Sequence, residues 1–237
     1  MKKIKLFIAL CFLSLNVFSQ FTNLNWKLGA NLSLDFITGQ GVVNLNDSNQ
    51  STMNFTNTSI TDRNGKIIFY SNACKVYNRN GDTMSNGSGF NHGFYSDQYV
   101  NTDYYPLVKA ATIIPFPNDT NKFYLLYLNM DWNVDGAYMP GKLYYLVVDK
   151  TLNGGLGDVV IKDQVVINND TLGNNISSVK HGNGKDWWII VRKHKGNTYY
   201  KVLIDSNGVH SPTKQIVGNN FSYSFASEGG GDFNARG

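Results

Sequence analysis

Charge is scarce in this chain. Asp, Glu, Lys and Arg make up 16% of its 237 residues, while aromatic residues reach 14% and apolar residues 42%. That balance excludes a coiled coil or a charged disordered tail and suits a packed β protein. Cysteine is scarcer still. Cys11 falls in an apolar leader, so Cys74 alone remains beyond it, and an exported chain with one thiol has no internal disulfide. Cys74 reads as a small core residue rather than a nucleophile. The four histidines, His92, His181, His194 and His210, lack any His-x-x-x-His spacing, and there is no Cys-x-x-Cys, which argues against zinc. No Gly-x-Ser-x-Gly elbow is present; "NGSGF" at 86–90 lacks the spacing. No helical period of useful length follows the leader.

The leader is a targeting segment. Lys2, Lys3 and Lys5 precede an apolar run over residues 4–18, too short to span a bilayer with its flanks. Val17 and Ser19 fit the −3 and −1 positions of a cleavage site, so residues 1–19 read as a signal peptide and the mature chain starts at Gln20. Leu10 before Cys11, with no polar spacer after it, speaks against a lipoprotein. Loss of three lysines lowers the formal charge from +4 to +1. A mature charge near zero gives no reason to expect nucleic acid or anionic lipid as partners, and the membrane enters only through export.

What is present is repetition. "DRNGKIIFYSN" (62–72) returns as "PNDTNKFYLLYLN" (117–129) and again as "HGNGKDWWIIVRK" (181–193). Each copy follows a short strand, at 58–61, 111–116 and 177–181. Each passes through a turn; Asn64-Gly65 and Asn183-Gly184 favour a two-residue hairpin. A second strand follows at 66–71, 122–128 and 186–192, so continuously apolar that both faces are expected to be covered. A third strand is expected at 75–78, 142–149 and 198–205, and a more polar fourth at 159–166 and 214–217. Four antiparallel strands repeated at this spacing predict an all-β chain: a β-propeller-like array of four-stranded antiparallel blades. The repeat units span about 58–108, 111–168 and 177–218, within a partial propeller domain over 20–237. With three whole units and a leading piece, the array reads as incomplete, of about three to four blades. Strand material at 26–46 is expected to close the ring by pairing with the last blade; an open ring would leave a flank for oligomerisation.

Two stretches carry candidate sites. The insertion at 89–106 places Tyr95, Tyr99, Tyr104 and Tyr105 in a long loop, where aromatic rings with nearby Asn and Asp suit a glycan or a protein surface. The motif "DWNVDG" offers oxygens at Asp131, Asn133 and Asp135 to calcium, but Lys142 occupies the position where a bidentate Glu belongs. A helical calcium site is thereby excluded; a looser loop site or an ordinary solvated turn remains. No catalytic residue is nominated, because no carboxylate pair can be assigned from sequence.

"WKLGANLSLDF", "DRNGKIIFYSN" with "VYNRNGDTMSNG", "YYLVVDKTLNGGLGDV" and "VKHGNGKDWWIIVRK" resemble the N-terminal propeller-like region of large secreted Bacteroidetes proteins. Those proteins end in a gliding-motility-associated, type IX secretion sorting domain. The resemblance covers about residues 26–217 and implies export and cell-surface display. The later blades and the sorting domain of complete members have no counterpart here. "DTM" at 82–84 and "DTL" at 170–172 also resemble the O-glycosylation sequon of exported proteins of that phylum. The expected function is a non-enzymatic binding or adhesion module at the cell exterior, with a protein or glycan partner. The alternative is an extracellular carbohydrate-active hydrolase or lyase with its site on the propeller face.

Overall fold

A computed structural model describes residues 25–28, 32–36, 42–44, 53, 55–99, 104–134 and 136–220. The expected leader, Asp135 and the tail after 220 lie outside these residues. The chain is all-β, built of several small antiparallel sheets, none of which closes on itself.

The first sheet joins β1 (Asn25–Leu28), β2 (Leu32–Asp35) and β3 (Val42–Asn44) in that order. The second joins β4 (Thr58–Thr61), β5 (Ile67–Ser71) and β6 (Val76–Asn78). A single antiparallel bridge, Tyr77 to Thr83, stands where its fourth strand was expected. The third sheet has the order β12-β11-β8-β7, from β7 (Ala111–Pro115), β8 (Lys122–Leu128), β11 (Leu143–Asp149) and β12 (Asp158–Ile167). Between β8 and β11 rises a separate ribbon of β9 (Trp132–Val134) and β10 (Ala137–Met139). In the fourth sheet β13 (Leu172–Lys180), β14 (Trp187–Lys193) and β15 (Thr198–Asp205) lie in sequence. Both β16 (Gly208–Val209) and β17 (Thr213–Ile216) pair with β15.

Turn chemistry sets these hairpins, though not in the two-residue form that Asn-Gly suggests. At 62–66 the Asp62 carboxylate accepts the N–H groups of Asn64 and Lys66 at 2.8 and 2.9 Å. Only Gly65 takes a positive φ, +78°, the longer turn with one left-handed residue. At 181–186 Asn183 caps in the same way, accepting from Lys185 and Asp186, and Gly184 alone is left-handed at φ +74°.

Neighbouring sheets meet through their leading strands. β1 contacts β4, β4 contacts β7, and β7 contacts β13. The Ser59 hydroxyl donates to the Asn25 carbonyl at 3.1 Å, and Thr112 and Ser178 share a hydroxyl–hydroxyl bond of 3.0 Å. The strand material near residue 26 was expected to close a ring; its described part forms its own sheet against β4 instead. Local pairing wins because β1, β2 and β3 satisfy one another's backbone groups over short connections.

The main core runs through the second, third and fourth sheets, with Phe69 meeting Phe123 edge to face at 5.4 Å. A smaller cluster of Met53, Tyr70 and Tyr77 fills the other face of β5, where Lys27 reaches over the Tyr70 ring. Phe69 and Tyr70 point to opposite faces and both are fully buried, so β5 is covered on two sides, as the apolar run over 66–71 suggests. Phe123 through Leu128 in β8 are buried without interruption. The third copy departs from expectation. In β14 only Ile189 and Val191 are buried, and Trp188, Ile190 and Arg192 are half-exposed. Its inner face packs on the core; its outer face carries no covering sheet among the described residues. Cys74 is buried, as its type and setting suggest. Among the described residues no helix is long and apolar enough to cross a membrane, which says nothing of a β-barrel.

Candidate functional site

An open cleft of about 480 Å³ lies where the ribbon β9–β10, the loop at 89–99 and the turn between β12 and β13 converge. It is lined by Phe94, Tyr95, Asp131, Trp132, Asn133, Gly141, Lys142, Asn168 and Asn169. Its size falls in the range of small-ligand sites, about 300–1,000 Å³.

The floor is rigid for reasons that can be named. Asn129, fully buried at the end of β8, accepts the N–H groups of Gly141 and Lys142 at 3.1 and 2.8 Å and donates to the His92 carbonyl at 3.3 Å. One amide thus ties three chain segments together. Asp131 sits above it. Its Oδ2 meets Lys142 Nζ at 2.8 Å, and its Oδ1 accepts the Phe94 N–H at 3.2 Å. Burial opposes ionisation of Asp131, but hydrogen bonds from Lys142, Asn129 and the Phe94 backbone outweigh it and hold the carboxyl below the usual range. The hydrogen bond to Asp131 raises Lys142 above the ordinary lysine value. Two glycines make this seat possible. A Cβ on Gly93 would lie 2.6 Å from Asp131 Oδ1, and one on Gly141 would lie 2.7 Å from Asp131 Cβ and 2.8 Å from Trp132 Nε1.

The rim is aromatic. Phe94 is 75% exposed and Trp132 is 46% exposed. Phe94 stands edge-on to Tyr95 at 4.9 Å, and Tyr95 packs on Tyr138 of β10 at 4.7 Å. The loop is pinned to the ribbon base by Tyr95 and Ser96 N–H groups donating to the Met130 carbonyl. On the opposite side the Asn168–Asn169 turn is followed by Asp170, which binds Lys193 at 3.0 Å and accepts the Tyr200 hydroxyl. Burial and that bond to Asp170 push Tyr200 up to about 12.

The residues expected to bind ligand separate. Tyr95 reaches the cleft, together with Asp131 and Asn133. Tyr99 and Tyr104 stand 6.1 Å apart outside the cleft lining, Tyr104 against Phe55. Tyr105 lies inside the core rather than at the cleft. It is 2% exposed, its hydroxyl donates to the Leu128 carbonyl at 2.8 Å, and it contacts Ser96, so it anchors the loop from within. Two of the three calcium candidates, Asp131 and Asn133, are among the described residues. Asp131 is committed to Lys142, and the Asn133 Oδ1 accepts the Gly136 N–H at 3.1 Å to close a hairpin turn. Asp135 lies outside the described residues. Among the described residues no three His, Cys, Asp or Glu side chains cluster as a metal site would need. Of the two Asp-Thr pairs, Thr83 is exposed, whereas Thr171 follows the tied-down Asp170 and is half-buried.

Phe94, Trp132, Lys142, Asn168 and Asn169 were not expected in a site. Trp132 and Lys142 were visible only as part of a calcium pattern. The Asn168–Asn169 pair has no sequence signal beyond an ordinary turn. Comparison with protein-family models, with curated proteins and with solved structures finds no match.

Proposed function

We propose that this chain is an exported, non-enzymatic binding module whose sheets stand as successive blades of a β-propeller arc. The single observation that carries the binding reading is the cleft, where exposed Trp132 and Phe94 overhang a preorganised polar floor. Aromatic rings grouped with polar side chains in a concave surface are a recurring form of ligand site. The arc is supported by the leading strands β1, β4, β7 and β13, each of which packs against the leading strand of the next sheet, as blades do around an axis. The basic, apolar leader and the resemblance to secreted Bacteroidetes proteins support a site of action outside the cell, with a protein or glycan as partner.

A hydrolase reading fits the cleft less well. Glycoside hydrolysis draws on two carboxylates, and Asp131 is the one carboxylate in the described lining, already paired with Lys142. The test is an array of extracellular glycans and surface proteins probed with the full chain and with a Phe94→Ala/Trp132→Ala variant, together with an assay for reducing ends. Retention by the native chain alone, without turnover, supports a binding module. Equal retention by the variant sinks the cleft as the site. Turnover lost in Asp131→Asn establishes the hydrolase instead.

A further inference from the structure

The chemistry of the lining narrows the ligand class. Among the described residues, the apolar part of the lining is aromatic, from Phe94, Tyr95 and Trp132. An aromatic-lined groove also suits a proline-rich segment, and β9, which pairs with β10 alone among the described residues, lends a strand edge to the lining; the peptide arm of the titration below tests that alternative. Charge is balanced within the site. Among the described residues, Asp131 and Lys142 are the only ionic residues in the lining, and they pair across 2.8 Å. An anionic ligand would meet the Asp131 carboxylate. A quaternary ammonium, which aromatic cages otherwise favour, would meet the Lys142 ammonium. What remains in the lining is uncharged: the carboxamides of Asn133, Asn168 and Asn169, of which the Asn133 and Asn168 oxygens each already accept one backbone N–H, from Gly136 and Asn169, and keep a second lone pair and their amide donors. Flat aromatic surface flanked by neutral two-way hydrogen-bonding groups matches one ligand chemistry well. A pyranose ring offers a C–H face for stacking and hydroxyls that both donate and accept.

We propose that the cleft binds a neutral oligosaccharide, with Trp132 and Phe94 stacking on the sugar face and the three asparagines reading its hydroxyls. This deepens the binding-module reading and rests on the cleft being its site. The open form of the cleft suits a segment within a longer glycan as well as a chain end.

The test is isothermal titration of the full chain with cellopentaose, xylopentaose, laminaripentaose, mannopentaose and chitopentaose. Parallel titrations use oligogalacturonate, choline and a pool of unstructured peptides. The expected result is binding of at least one neutral pentasaccharide, weakened about tenfold or more by Trp132→Ala, a loss typical of one stacking contact. Trp132→Phe is expected to retain most of the affinity, and circular dichroism of both variants separates lost stacking from lost folding. Little change in affinity between low and high salt is also expected, since no net charge is engaged. Failure of all five neutral sugars at millimolar concentration overturns the proposal. So does binding that ignores Trp132→Ala. If oligogalacturonate, choline or peptide binds instead and depends on Trp132, the ligand class is wrong while the cleft stands as the site.

Discussion

Lys142→Met tests the cleft floor directly. The substitution keeps the length of the side chain and removes the ammonium 2.8 Å from Asp131. At an effective dielectric constant of about 20, two unit charges at that distance attract by about 6 kcal/mol before desolvation is subtracted. Side-chain exposures of 29% for Lys142 and 14% for Asp131 put the pair between the surface and buried limits. Surface pairs contribute about 0–1 kcal/mol, and breaking a buried pair costs about 3–5 kcal/mol. A loss of about 2 kcal/mol at neutral pH is expected, which for a chain of this size lowers Tm by about 4–8 °C. The loss must depend on pH. The folded-state pKa of Asp131 is depressed, so its contribution is present above the unfolded carboxylate value and disappears as pH falls through the folded one. Lys142 is raised, so its contribution persists until pH climbs through its folded value above the ordinary lysine range. Urea unfolding followed by tryptophan fluorescence from pH 3 to pH 8 reads the Asp131 effect, since Lys142 stays charged across that range. The two proteins should differ most near neutrality and converge in acid. A constant difference across that range, or none at pH 7, would refute the account of Asp131 as a carboxylate held ionised by Lys142.

Three further outcomes follow from particular contacts. Gly141→Ala forces a Cβ within 2.7 Å of Asp131 and is expected to cost about 1–3 kcal/mol by overpacking, read as a lower urea midpoint at unchanged m-value. Tyr105→Phe removes the hydroxyl bonded to the Leu128 carbonyl and should cost about 1–2 kcal/mol in thermal unfolding while leaving ligand titrations unchanged, since that ring never reaches the cleft. Tyr200 has its folded pKa raised to about 12, so its contribution is complete below the unfolded tyrosine value and is lost as pH rises from there through about 12. Tyr200→Phe should therefore flatten the alkaline decline in stability, and an unaltered decline would count against the Tyr200–Asp170 bond.

Local sequence determined the strands. The run at 122–128 is apolar and rich in aromatics, and β8 occupies Lys122–Leu128; the stretch at 198–205 becomes β15 over the same residues. Propensity and turn residues act over a few positions, so they can be read without neighbours. Coverage of a strand's second face cannot. The 181–193 copy is as apolar as the other two, yet β14 keeps one face half-open because burial depends on which sheet lies across from it. The same limit hid the site. Nothing local distinguishes Tyr105, which ends inside the core, from Tyr95, which ends at the cleft; the difference lies in which way the loop folds back onto Met130. Lys142 read as a defect in a calcium loop, and only folding brought its ammonium onto Asp131 across the intervening hairpin. Sequence by itself determined where the chain pairs with its nearest neighbours, because those bonds close over short loops. Tertiary structure alone decided which rings stay in water and which charges cancel, because those depend on segments tens of residues apart meeting at one cleft.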